Sequence, residues 1–112
     1  MYYIEKTIEI SAAHKLNLPY ESKCNELHGH NYIITVYCKS GKLNENGMVI
    51  DFAEIKRIVG GQLDHTILGL GIGKNSTAEN IAHWVYCRVA HCYKVRVQES
   101  SGNVAIYSYE EE

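Results

Sequence analysis

His28-Gly29-His30-Asn31-Tyr32-Ile33-Ile34-Thr35-Val36-Tyr37-Cys38-Lys39 is the stretch that decides how the chain is read. Alternate residues of an extended strand point to opposite faces, so His28, His30, Tyr32, Ile34, Val36 and Cys38 fall on one side. Two imidazoles therefore continue an apolar strand face, about 7 Å apart at their Cα atoms. The other side still carries Ile33 and Tyr37, more apolar surface than a one-sided sheet needs in a small monomer, which predicts an interface between copies. Upstream, Tyr2, Ile4, Lys6, Ile8, Ile10, Ala12 and His14 occupy the even positions against Tyr3, Glu5, Thr7, Glu9, Ser11 and Ala13. This is a further period-two strand, and its apolar face ends in a third histidine.

Downstream, Ser40-Gly41-Lys42-Leu43-Asn44-Glu45-Asn46-Gly47 is turn chemistry, and Asp51-Phe52-Ala53-Glu54 opens a helix with an Asp-x-x-Glu cap. That helix is expected to turn Phe52, Ile55, Ile58 and Val59 inward and to stop near Gly60-Gly61. Leu63-Asp64-His65 follows, then a loop with Gly69, Gly71 and Gly73; no Lys-Ser/Thr follows these glycines in P-loop order, which argues against a nucleotide cradle. Ser76-Thr77-Ala78-Glu79 reads as a second capping box, with Ile81, Trp84, Val85 and Val89 on one helical stripe. His83 and His91 read as partly solvated residues of that helix or its end. Tyr93, Val95, Val97 and Glu99 then share a strand face against Lys94, Arg96 and Gln98. Ser100-Ser101-Gly102-Asn103 turns the chain into a last strand from Val104 to Tyr109, before a solvated tail, Glu110-Glu111-Glu112. The expected order is ββααββ in an α+β domain spanning residues 1–112.

Composition narrows the function classes. The chain has 112 residues, 46% hydrophobic and 21% charged, which fits one globular domain. Eleven Lys plus Arg against thirteen Asp plus Glu leave a formal charge of -2, so no basic field is available and no nucleic-acid partner is expected. No apolar run approaches the roughly 18 residues of a membrane span, and Met1-Tyr2-Tyr3-Ile4-Glu5-Lys6 lacks the order of a signal peptide. The expectation is a cytoplasmic protein with no membrane partner. Cys24, Cys38, Cys87 and Cys92 follow no secreted spacing and are expected as free thiols.

Three histidines on one sheet face, His14, His28 and His30, suit a zinc ion held by neutral imidazoles with a fourth position open. Cys24, in Cys24-Asn25-Glu26-Leu27-His28, is either a fourth ligand that would close the site or a thiolate of lowered pKa; spacing alone does not choose. Asp64-His65 offers a carboxylate that orients an imidazole. Glu99 continues an apolar face, where a carboxylate costs several kcal/mol unless it meets paired donors. A ligand edge with two adjacent N–H groups would satisfy both oxygens, whereas a strand-end glutamate in water would look the same in sequence.

His14, the Cys24-to-His30 segment, Val49-Ile50-Asp51-Phe52, Leu63-Asp64-His65, Thr77-Ala78-Glu79-Asn80 and Val97-Gln98-Glu99 together resemble the 6-pyruvoyl-tetrahydropterin synthase family over essentially the whole chain. The resemblance implies the T-fold, a four-stranded antiparallel sheet with two helices on one face. It also implies three subunits closing a twelve-stranded barrel, and two trimers stacking into a homohexamer with active sites between subunits. The three-residue gap between Cys24 and His28 is similar to the bacterial 6-carboxy-tetrahydropterin synthase branch of the queuosine pathway. By the same resemblance His14, His28 and His30 bind zinc, Cys24 with Asp64 and His65 transfers protons, Glu99 anchors the pterin, and Thr77 is a lesser candidate for that pocket. The implied substrate is 7,8-dihydroneopterin triphosphate, with Lys15, Lys23 and Lys74 candidates for its phosphates by charge alone. Two departures stand out: Ser76 occupies a position where the family often has Pro, and Gln98-Glu99-Ser100 replaces Trp-Glu-Thr. A zinc hydrolase or hydratase, or a non-catalytic zinc module closed by Cys24, remains open as a reading of the same residues.

Overall fold

The computed structural model describes residues 1–69 and 75–109. Gly71, Gly73 and Lys74 of the glycine loop, and the Glu110-Glu111-Glu112 tail, lie outside the described residues. Strand β1 (Tyr2–His14) pairs antiparallel with β2 (His28–Ser40) in unbroken register from Tyr2 opposite Ser40 to His14 opposite His28. Because this register has no slip, the even residues of both strands share one face along their whole length. Helices α1 (Phe52–Leu63) and α2 (Ala78–Tyr86) cover that face, and the chain closes with β4 (Cys92–Ser100) and β5 (Asn103–Ser108). Ile8, Ile10, Ile34, Val36, Val95 and Val97 of the sheet are buried under Ile55, Ile58, Val59 and Leu63 of α1 and Ile81, Ala82, Trp84 and Val85 of α2. Each Val, Leu and Ile among them contributes about 1.5–3 kcal/mol on burial, which holds the helices to this face.

The expected α+β order and the two helices on one face are present; Val89, expected on the second helix's stripe, is buried three residues beyond the end of α2 at Tyr86, and four further differences of detail follow. The sheet has a fifth strand, β3 (Thr66–Ile67), which pairs parallel with Ala12 and Ala13, giving the order β3-β1-β2-β4-β5. Two residues carry too little pattern to read as a strand. Helix α1 does not stop at Gly60-Gly61: Leu63 is buried one turn beyond Val59, and the Asp64 N–H closes the last turn on the Gly60 carbonyl at 3.0 Å. Phe52, expected inward, is exposed, because it is the first helical residue after the Asp51 cap.

The fourth difference is at Tyr93. The β2–β4 register shifts so that Tyr37 faces Lys94 while Cys38 faces Cys92, leaving Tyr93 as an extra residue. This bulge moves its ring to the opposite face, where it packs edge-on to Tyr3 at 6.1 Å and against Tyr37 at 6.4 Å. The apolar excess of β2 is thus partly met within the chain: Lys94 lies over the Tyr37 ring at 4.7 Å, and the Thr7 and Thr35 hydroxyls bond at 3.0 Å. All four cysteines are free, and no helix among the described residues is long and apolar enough to cross a membrane.

Candidate metal centre and active site

The last residue of β1 and the first residues of β2 meet at the end of the helix-covered face, where α2 begins. His14 stands opposite His28, and His30 is opposite Ala12, so all three side chains emerge on the same side. Their ring centroids are 4.6, 5.3 and 4.9 Å apart, and one nitrogen from each lies within 4.8 Å of the others. Backbone carbonyls occupy the far side of two rings. His14 Nδ1 donates to the Ser76 carbonyl at 2.8 Å, with Ser76 Oγ at 3.2 Å, and His28 Nδ1 donates to the Glu26 carbonyl at 2.7 Å. A carbonyl only accepts, so both rings carry hydrogen on Nδ1, which leaves Nε2 as the nitrogen available to the shared space. His30 Nε2 is buried with no hydrogen-bond partner among the described residues. Burial holds His14 below the usual histidine range, against the opposing pull of the Ser76 carbonyl, which keeps it in the neutral form a metal requires. An orphaned, buried nitrogen beside two oriented imidazoles fits a metal ion.

Glu99 completes the wall. Gln98 faces Val104 across β4–β5 but Ser100 faces Asn103, so Glu99 is the extra residue of a second bulge, a device that re-aims a side chain. It keeps the face expected from Val95 and Val97. Its Oε1 lies 3.9 Å from His14 Nε2 and its Oε2 3.9 Å from His30 Nε2, with the side chain 27% exposed. The same residue lines a cavity with Thr77, Leu16 and Asn103, so the structure brings Glu99 and Thr77 together. Thr77, not Ser76, caps α2, its hydroxyl accepting from Asn80 N at 3.2 Å. Lys15 sits at a neighbouring cavity with Asn17, Asn75 and Thr77. Lys23 is exposed in the turn described next, and Lys74 lies outside the described residues.

Cys24 occupies a single 3-10 turn (Lys23–Asn25) capped by Ser22, whose Oγ accepts from Cys24 N at 3.1 Å. Its carbonyl accepts from Leu16 N at 2.7 Å, which ties the turn back to the residues just after His14, and its thiol is exposed. Asp64 and His65 are elsewhere. Asp64 Oδ1 accepts from Ser11 N at 2.8 Å while Oδ2 lies 3.6 Å from His65 Nε2, and His65 N donates to the Ser11 carbonyl. His65 holds a positive φ of 58° and its side chain is 81% exposed, beside the edge of β1. Among the described residues, no hydrogen bond or ion pair joins this dyad to Cys24 or to the three histidines. Two neighbours escaped the reading of the sequence. Tyr32, buried, places its hydroxyl 3.2 and 3.3 Å from the two ring nitrogens of His14, a position its shared parity with His28 and His30 could have indicated. Ser76 reads in sequence as the start of a capping box and as a departure from the Pro often found there in the resembling family, and neither reading points to His14.

Comparison with known proteins adds an independent line. The family described as 6-pyruvoyl tetrahydropterin synthase matches residues 3–110. A 6-carboxy-5,6,7,8-tetrahydropterin synthase of Synechocystis is 35% identical, the alignment spanning 96% of this chain and 93% of that one. The human 6-pyruvoyl tetrahydrobiopterin synthase is 30% identical over 96% of this chain and 91% of its own length. The solved structure of 6-pyruvoyl tetrahydropterin synthase from Caenorhabditis elegans superposes with a TM-score of 0.72 at 28% identity, covering 96% of this chain and 94% of that one. A three-histidine cluster at the end of a T-fold sheet, and a match that runs nearly from end to end, agree: the chain belongs to the 6-pyruvoyl tetrahydropterin synthase family.

Proposed function

We propose that the chain converts 7,8-dihydroneopterin triphosphate and water into 6-carboxy-5,6,7,8-tetrahydropterin, acetaldehyde and triphosphate, a zinc-dependent lyase reaction of queuosine and 7-deazapurine biosynthesis in the cytoplasm. The observation that carries this reading is the convergence of His14, His28, His30 and Glu99 on one space. Three neutral imidazoles favour zinc. Bound there, zinc would acidify the hydroxyls of the substrate side chain and offset developing negative charge.

The remaining work falls to the chain's own residues. Glu99 receives the 2-amino and N3 hydrogens of the pterin ring, and Thr77 walls the same cavity. Cys24 takes the side-chain proton as a thiolate, and an Asp64-His65 dyad sets the protonation state of that thiol. Electrons pass from the side chain to the ring within the substrate, so no nicotinamide or flavin is required. The dyad lies beside the edge of β1, and among the described residues no hydrogen bond or ion pair joins it to Cys24 of its own chain. That separation supports a site completed by the dyad of a partner subunit, in a homohexamer built as a dimer of trimers.

The test is product analysis after incubation of the zinc-loaded protein with 7,8-dihydroneopterin triphosphate. Acetaldehyde and the carboxypterin in equal amounts are expected. A 6-pyruvoyl product without acetaldehyde would assign the chain to the activity that the human relative's name states. No turnover at one zinc per subunit would leave a non-catalytic zinc module.

A further inference from the structure

Ser76 is 2% exposed and directly precedes Thr77, the N-cap of α2. It begins a Ser-x-x-Glu motif, yet the hydroxyl that caps the helix is that of Thr77, so the Ser76 side chain has no role in starting α2. Both of its oxygens converge instead on His14 Nδ1, the carbonyl at 2.8 Å and Oγ at 3.2 Å. The carbonyl is satisfied only when Nδ1 holds the ring hydrogen, and Oγ can accept a second branch of the same N–H bond. Glu99 Oε1, on the other side of the ring, would favour hydrogen on Nε2, but at 3.9 Å it lies beyond hydrogen-bond reach. The Tyr32 hydroxyl, 3.2 and 3.3 Å from the two nitrogens, does not discriminate between them. With His14 only 1% exposed, bulk water has little access to compete for the ring hydrogen.

From this geometry we infer that Ser76 is a positioning residue, which locks His14 as the Nδ1–H tautomer and so presents Nε2 to the three-histidine centre. The inference rests on the metal reading of that centre and adds a device of this chain's own, since a Pro at this position would offer the carbonyl without the hydroxyl. It also links two parts of the site. The chain turn that fixes a metal ligand through Ser76 is the turn whose next residue, Thr77, walls the Glu99 cavity.

Nitrogen NMR of the imidazole rings in the metal-free protein reads the tautomer directly, without substrate or turnover. The expected wild-type result is an Nδ1–H tautomer for His14 with a ring hydrogen slow to exchange with water. Ser76→Ala should speed that exchange and weaken zinc affinity about tenfold in a chelator competition, the loss typical of removing a partner behind a metal ligand. Ser76→Thr, which keeps the hydroxyl, should restore both. An Nε2–H tautomer in the wild type would overturn the inference, as would a Ser76→Ala protein with unchanged exchange and unchanged affinity. A wild type that shows the Nδ1–H tautomer and binds no zinc would support the lock while removing the zinc reading of the centre.

Discussion

Replacing Glu99 by Gln changes one oxygen to an amide nitrogen at nearly constant volume, and so separates ring recognition from metal binding. The two carboxylate oxygens lie 3.9 Å from His14 Nε2 and 3.9 Å from His30 Nε2, too far for a hydrogen bond to either. Among the described residues neither oxygen has a hydrogen-bond partner, which leaves both available to a ligand in the cavity shared with Thr77. A pterin edge with two parallel N–H donors would use both oxygens. In the variant one of these bonds becomes N–H facing N–H, and the other loses its charge. Charge-assisted bonds contribute about 1.5–3 kcal/mol each against about 0.5–1.5 kcal/mol for neutral ones. Since the side chain is 27% exposed and water recovers part of the loss, the net cost should be about 1.5–3 kcal/mol, or roughly ten- to a hundredfold in affinity. Calorimetric titration of zinc-loaded Glu99→Gln with a pterin product analogue measures this, with elemental analysis alongside. Unchanged affinity would refute the reasoning and return Glu99 to solvent, while loss of zinc would make it a metal ligand.

His28→Ala should empty the centre and abolish turnover, because two imidazoles rarely retain zinc tightly; full metal content in the purified variant would sink the ligand assignment. Cys24→Ala should abolish turnover and keep about one zinc per subunit, as the exposed thiol lies outside the three-nitrogen group; joint loss of metal and activity would show a ligand instead. His91 holds a left-handed φ of 64° on an exposed turn, so His91→Gly should raise stability by about 0.5–1 kcal/mol, read as a higher Tm. A fall in Tm would mean the imidazole contributes more than the strain it carries. Because burial lowers the pKa of His14, the unfolded chain binds its proton first as pH falls below the ordinary value of 6.5. Denaturant midpoints of the metal-free protein should therefore decline from pH 7 downward until the lowered folded pKa is passed, and the His14→Ala variant should lose that part of the slope.

Period-two alternation in β1 and β2 was enough to place His14, His28 and His30 on one face, because an unbroken antiparallel register transmits parity from one strand to the next. The Asp51 cap was equally local, its carboxylate accepting from Ala53 N two residues away. Other features depended on distant contacts. Gly60-Gly61 reads as a helix stop, but burial of Leu63 beneath the sheet carries α1 through it. Two bulges decide β4, and they act in opposite ways: Tyr93 is turned to the outer face, while Glu99 keeps the inner one and stands against the histidines. An inserted residue leaves no mark in the alternation itself, since it is set by which residues of the next strand find partners. The placement of Asp64 and His65 beside the edge of β1 follows from bonds to Ser11, more than fifty residues earlier. Ser76 and Thr77 offer the same hydroxyl at adjacent positions, and either could cap a helix by sequence. His14, 62 residues away in the chain, draws both oxygens of Ser76 and leaves the cap to Thr77, a choice that exists only once β1 and the start of α2 are packed together.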